Sequence, residues 1–344
     1  MKHLCSTARF LHIFANCLLQ SVRRNGSELV NEPIVLEHES SGVIVKVGSR
    51  VDPGRIGEQV AIKPWTVCCK SGRNQLCQRC SDLIPPRRGT LCRYFKVPSD
   101  IAYKLSDNLS LEDGATTEPR AVAIHAIRSL GKLRAGPCAI VFGCSPVDLL
   151  CMAVAKALDS FTPPHFLANE SIREYSTRSS SLFKKRLDGD GIDLIVDTSR
   201  AETNLQMGLI IAKNVGTFVQ IGVGRTDVQF PISVVMNTEL TIKGSLRYGM
   251  SDPGDYPLAI SLASSGKINL KPLVTHKFEF ADAIKAFETT KSEKDANGNV
   301  VLKTMISGPS DQMINGSVNG HLENRQRCLR RDAGVMVDGG HSVR

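Results

Sequence analysis

Residues 139–158 read AIVFGCSPVDLLCMAVAKAL. A short apolar run ends at Gly143, and an amphipathic run begins almost at once. That is a buried strand turning directly into a helix. Turns of this kind usually read G-x-G-x-x-G and hold a dinucleotide's pyrophosphate on the helix N-terminus. Here the three glycine positions carry Gly143, Ser145 and Asp148. The glycine of the tight turn remains. Ser145 adds a side chain where backbone should approach the pyrophosphate, and Asp148 adds bulk and charge where strand, helix and phosphate meet.

Downstream the same rhythm repeats. AVAIHAIRSL reads as a helix, GIDLIVDTS as a strand, ETNLQMGLIIAK as a helix and GTFVQIGVG as a strand. ELTIKGSL is a further strand and DYPLAISLASSG a further helix. Strands separated by helices of this length predict βαβ units on a parallel sheet, with ligand at the carboxyl ends of the strands. The segment 161–185 resists the scheme, because Pro163 and Pro164 each lack the N–H that a central strand donates. Upstream, residues 34–62 alternate apolar runs with glycine, the pattern of short strands in a β-rich module. A loop rich in Cys, Arg and Pro follows over 63–90, and LCRYFKVPSDIAYKL returns to strand material. VTHKFEFADAIKAFETT and NVVLKTMI close the pattern with strand, helix and strand; beyond Gly308 the chain reads as a disordered polar tail.

The 344 residues suffice for two domains, and 42% apolar with 22% charged residues is ordinary globular composition. The net charge of +9 is dispersed, and a single Trp leaves no aromatic interleaving for a nucleic-acid surface. No apolar run reaches the roughly 18 residues of a membrane span, so a cytoplasmic location is the expectation. Of the eleven cysteines, Cys68, Cys69, Cys77 and Cys80 cluster, which points to metal before disulfide.

Several segments stand in an order that resembles one family: PIVLEHESSGVIVKVGSRV, CKSGRNQLC, GATTEPRAVAIHAIR, VFGCSPVDLLCMAVAKAL, GTFVQIGVGR and KGSLRYG. Over about residues 31–308 the chain resembles the zinc-dependent medium-chain dehydrogenases, and EHESSG, TEPRAVAIHA and GSLRYG favour their polyol branch. The resemblance implies an α/β fold: a GroES-like β-rich catalytic domain over 31–122, completed by 270–307, and a doubly wound parallel-sheet (Rossmann) cofactor domain over 123–269. Residues 1–30 are then a divergent N-terminal segment and 308–344 the tail.

The resemblance also implies roles. His38 and Glu39 match the pair offered to zinc, and Glu118 the carboxylate beside the metal that touches water or substrate. Arg247 and Tyr248 match positions that contact substrate hydroxyls. Gly143, Ser145, Val147, Asp148, Ile221, Gly222, Val223, Ser245 and Arg247 match the wall around NAD. Arg173 and Arg178, beyond the expected ribose-binding position near Leu167, leave NADP open beside NAD. The chain departs from the family in two places. The ligand cysteine of a Cys-Gly-Ser-Asp motif is absent, with neither Cys5 nor Cys17 in suitable surroundings. The structural zinc lobe keeps only the Cys69–Cys77 interval of its pattern, with Cys68 and Cys80 outside it. The implied activity is hydride transfer between a polyol or secondary alcohol and NAD, in a homo-oligomer with a small-molecule substrate and neither nucleic acid nor membrane as partner. The alternative is a dehydrogenase fold with impaired or lost catalysis.

Overall fold

The computed structural model describes residues 7–14, 24–25, 28–29, 35–63, 72–76, 89–133, 138–143, 145–158, 191–199, 201–224, 226–250 and 254–309, with backbone alone for those before residue 35. Four sequence expectations lie outside these residues: the proline-bearing segment, the cysteine cluster with Cys5 and Cys17, the residues Leu167, Arg173 and Arg178, and the polar tail from residue 310 onward.

The strands, in chain order, are β1 (Thr7–Phe14), β2 (Arg24–Asn25), β3 (Glu28–Leu29), β4 (Ser40–Lys46), β5 (Gln59–Ile62), β6 (Phe95–Lys96), β7 (Ala102–Lys104), β8 (Ala139–Phe142), β9 (Ile192–Asp197), β10 (Ala212–Gln220), β11 (Thr241–Gly244), β12 (Val274–Phe278) and β13 (Lys303–Ile306). The helices are α1 (Leu111–Ala115), α2 (Thr117–Ile124), α3 (Pro146–Ala157), α4 (Glu202–Ile211), α5 (Ile232–Thr238), α6 (Asp255–Ser264) and α7 (Ala283–Ser292).

Two sheets organise them. The first runs β12-β13-β1-β4-β5-β7, with β6 paired to β1, and it is antiparallel except where β12 meets β13. Its strand β1 falls within residues 1–30, which the sequence reading set apart as a divergent N-terminal segment. Thr7–Phe14 lies between β13 and β4, with His12 opposite Ser40 on one side and Ile306 on the other. The returning strands β12 and β13 therefore share a sheet with the beginning of the chain.

The second sheet is parallel throughout, in the order β11-β10-β9-β8. Successive β9 residues serve opposite faces. Leu194 and Val196 join the core formed with α2, α3 and α6, while Ile195 joins Phe142, Leu209 and Phe218 in the core under α4. Burial on both faces is why these strands read as continuous apolar runs instead of alternating ones.

A helical element joins the sheets. α2 continues without a break into a π-helical stretch, His125–Leu130, crossing residue 122, where the sequence placed a domain boundary. π-Helical turns often mark functional positions, and this one presents buried His125 to Asp255 at 2.8 Å. Asp255 also accepts from Ser129 Oγ at 3.0 Å and from the Gly249 N–H at 2.6 Å. One carboxylate at the start of α6 thus pins the turn that follows Arg247 and Tyr248.

Candidate functional site

The first group of site residues gathers where β4 begins. His38 and Glu39 immediately precede the strand, and Glu118 is the second residue of α2. A carboxylate in the first turn of a helix is favoured by the helix dipole. Ligand atoms of His38, Glu39 and Glu118 all lie within 4.8 Å of one another, the closest recorded approach being His38 Nε2 to Glu118 Oε1 at 3.9 Å. Residues far apart in sequence are thus brought into one cluster.

Its electrostatics are those of charges taken out of water. Burial pushes the Glu118 carboxyl up to about 8, and the Glu39 charge adds to the effect; Lys303, Arg247 and the Tyr248 hydroxyl act against it. Burial lowers the His38 pKa and so favours neutral imidazole, the metal-ligating form, although Glu39 opposes the shift. The Glu39 carboxylate meets the Lys303 ammonium at 2.6 Å, both side chains being almost wholly buried. Lys303 opens β13 and was read from sequence only as part of a last strand.

Arg247 and Tyr248 belong to the same neighbourhood, since both act electrostatically on Glu118. Arg247 adopts a left-handed backbone at φ +54°, uncommon for a side chain this large. Tyr248 is fully buried, its ring 4.9 Å from that of Tyr256 and 5.4 Å from Lys63 Nζ. Tyr256 donates its hydroxyl to the Ile62 carbonyl at 3.0 Å, linking α6 to the end of β5.

The second group follows the carboxyl edge of the parallel sheet. Gly143 ends β8, with Ser145 and Asp148 at the start of α3; Ile221, Gly222 and Val223 follow β10, and Ser245 follows β11. Val147 is partly buried and packs against the apolar core. Three buried oxygens on this edge lack a hydrogen-bond partner among the described residues: Asp148 Oδ1, Thr198 Oγ1 and Ser245 Oγ. Buried polar groups are normally paired, so such a row fits a polar ligand lying across the strand ends. Thr198 was not singled out from sequence. Its only signal is its place directly after β9.

The turn at Gly143 is occupied from within. Its φ of +129° requires glycine, and a Cβ there would stand 2.4 Å from Asp148 Oδ2. That oxygen accepts the Ser145 N–H at 2.6 Å. The carboxylate therefore takes one of the donors that a helix start would otherwise offer a phosphate. Burial raises the Asp148 pKa, against the pull of its bonds to Ser145.

A β-rich sheet closed by returning strands, a parallel sheet with an open carboxyl edge and a His–Glu–Glu cluster define a two-domain dehydrogenase architecture. Residues 12–107 match the alcohol dehydrogenase GroES-like domain, and residues 168–265 match the zinc-binding dehydrogenase domain. The chain belongs to the zinc-dependent medium-chain dehydrogenases, in their polyol branch. Among its relatives is D-xylulose reductase A of Aspergillus niger, 38% identical over 313 residues, covering 82% of this chain and 83% of that enzyme. The fold is shared with 2R,3R-butanediol dehydrogenase from Bacillus subtilis: TM-score 0.72, 23% identity, 89% of this chain and 92% of that one. It is shared likewise with galactitol-1-phosphate dehydrogenase from Escherichia coli: TM-score 0.73, 23% identity, 89% and 94%.

The Lys303–Glu39 pair should be expensive to break from one side. Lys303→Met leaves a carboxylate buried without its cation and should lower unfolding stability by about 3–5 kcal/mol. Urea denaturation measures this, and an unchanged midpoint would remove the pair from the account of the site.

Proposed function

We propose that this protein is an NAD-linked polyol dehydrogenase that interconverts a sugar alcohol and the corresponding ketose, with zinc held by His38 and Glu39 beside Glu118. The observation that carries this reading is the convergence of those three side chains next to Arg247 and Tyr248. The donor set fits the metal: one imidazole and two carboxylates, close enough for modest side-chain rotation to reach ligand distances of about 2.0–2.2 Å. When bound, zinc acts as a Lewis acid that lowers the pKa of the alcohol oxygen.

The protein's own groups supply the rest. Glu118 would stand beside the metal with a carboxylate oxygen placed to take the substrate's hydroxyl proton, and NAD, when bound, would supply the hydride acceptor. Arg247 and Tyr248 hold neighbouring hydroxyls, and the Asp255–His125 contact keeps their turn in place. Gly222, Val223 and Ser245 would lie beside the nicotinamide half of the cofactor. The D-xylulose reductase relatives support xylitol and sorbitol as the substrates to test first. The same reading divides the chain at the boundaries given from sequence, with β1 added to the catalytic domain.

NAD-dependent absorbance change with xylitol or sorbitol tests the reaction, and metal analysis of His38→Ala tests the centre. A site with so few ligands should lose zinc affinity on the order of 10–100-fold, the scale seen when a metal site's supporting residues are removed, and activity should fall with it. Equal zinc content in variant and parent protein would remove His38 from the site.

The occupied turn favours a second reading, a dehydrogenase fold whose cofactor affinity, and with it turnover, is reduced. Asp148→Gly frees the Ser145 N–H and removes a negative charge beside the pyrophosphate, so NAD should bind more tightly, by about 1–3 kcal/mol when Ser145→Gly is added. The helix loses a capping contact in the same step, so stability should drop while affinity rises. Calorimetric titration showing equal or weaker NAD binding in the double variant would overturn this account of the loop.

We also propose that two copies associate through the β11 edge. β11 pairs on one side only, with β10, among the described strands. Beside it Ile232 is 66% and Met236 70% exposed, while Ile242 and Leu246 are exposed too. Unpaired edges and apolar patches of this kind are usually covered. Sedimentation velocity should show the parent as a dimer or larger and Met236→Lys shifted toward monomer. A parent that is monomeric at all concentrations would exclude the interface.

A further inference from the structure

The stretch between Cys69 and Cys77 has no task in the proposed chemistry. Its described part, residues 72–76, ends in a short 3-10 helix, Asn74–Leu76, and lies against the substrate-side turn. The Gly72 carbonyl accepts the Met250 N–H at 2.9 Å. Buried Gly249 has little room beside it. A Cβ there would stand 3.0 Å from that same carbonyl oxygen, 3.5 Å from His125 Cε1 and 3.6 Å from Gln75 Oε1. The cysteine-flanked stretch and the π-helical turn therefore close on one residue, two positions after Arg247.

Hydrogen bonds tie these elements to the start of α6. Asp255 Oδ2 accepts the Gly249 N–H at 2.6 Å and lies 2.8 Å from Nδ1 of buried His125. An ionised carboxylate only accepts, so Nδ1 carries the proton and Nε2 of the neutral ring is left as an acceptor. Gln75 Nε2 stands 3.3 Å from that nitrogen and supplies the donor. Its amide oxygen, although buried, has no hydrogen-bond partner among the described residues. The amide is thus oriented for the imidazole and not for its own satisfaction.

The turn needs such support, because a left-handed φ of +54° at Arg247 persists only where the surroundings fix it. On one side the Gln220 carbonyl accepts the Ser245 N–H at 2.8 Å. On the other side the hold passes from Gly249 to Asp255, and from there to His125 and Gln75.

We propose that Gln75 is a positioning residue for substrate binding: it holds His125 against Asp255 and, through Gly249, fixes the backbone from which Arg247 and Tyr248 reach the substrate hydroxyls. The stretch between the two cysteines thereby acts on alcohol binding without touching the alcohol. The proposal rests on the reading of Arg247 and Tyr248 as groups that hold a polyol.

Steady-state kinetics and amide exchange on the full chain test it, for the parent, Gln75→Leu, His125→Asn and the double variant. Asparagine at position 125 keeps a donor for Asp255 and loses the link to Gln75. Each single variant should raise KM for xylitol or sorbitol by about 3–10-fold, the worth of one hydrogen bond, with kcat and KM for NAD little changed. The double variant should be no worse than either single one, because both break the same link. NMR should show the Gly249 and Met250 amides exchanging faster in Gln75→Leu and the Ser245 amide exchanging as in the parent. An unchanged polyol KM in Gln75→Leu overturns the proposal. So do additive effects, or losses of equal size in kcat and at NAD, which would make Gln75 a packing residue. A parent that oxidises neither alcohol overturns the polyol reading instead, and exchange alone then decides for Gln75. Faster Gly249 and Met250 amides uphold its grip on the turn, and unchanged ones remove it.

Discussion

The buried contact between Lys303 and Glu39 is the constraint on which the candidate site depends. One partner lies beside the proposed metal, and the other opens a strand from the far end of the folded chain. Neither charge tolerates burial alone. Glu39 can therefore occupy its place only after β13 has entered the sheet next to β1, and β1 in turn pairs with β4, which follows Glu39 directly. The His38–Glu39–Glu118 cluster is consequently a product of the closed sheet and not of a local loop. Long-range closure of this kind forms late, because the entropy of joining distant segments must be overcome first.

The parallel sheet imposes a different constraint. Its inner strands β9 and β10 feed cores on both faces, and unpartnered buried oxygens collect at the carboxyl edge. Asp148 and Asp255 illustrate two outcomes at helix starts on this side of the molecule. Asp255 receives His125, Ser129 and the Gly249 N–H and so fixes the substrate-side turn. Asp148 receives Ser145 and leaves its second oxygen unpartnered. The first carboxylate is spent on holding a loop in place, whereas the second caps the start of its own helix.

How far these features could be read from sequence follows from the range of each interaction. AIVFG and DLIVD announce buried parallel strands because burial on both faces leaves an apolar run with no partner information needed. His38, Glu39 and Glu118 were legible through resemblance to a family, since a lone His-Glu pair carries no chemistry by itself. Lys303 was not legible: in NVVLKTMI it looks like an ordinary strand lysine, and its partner, Glu39, is far from it along the chain. Strand β1 escaped for a related reason. TARFLHIF has no clear alternation, and its place is set by neighbours on both sides, one early and one late in the chain.

Taken together, these contacts couple metal, fold and cofactor more tightly than a list of ligands suggests. The cluster sets two carboxylates beside one imidazole, and one of those carboxylates is buried against Lys303, which β13 delivers. A cation bound between the Glu39 and Glu118 carboxylates would favour the folded state alone, because the unfolded chain does not bring residues 38, 39 and 118 together. Ligation would then stabilise the closed sheet by mass action. Since Arg247 and Tyr248 share the electrostatic field of Glu118, the same event would settle the groups proposed to hold the substrate. In this chain the ion would act first on the architecture, and its chemistry would follow from the architecture it completes.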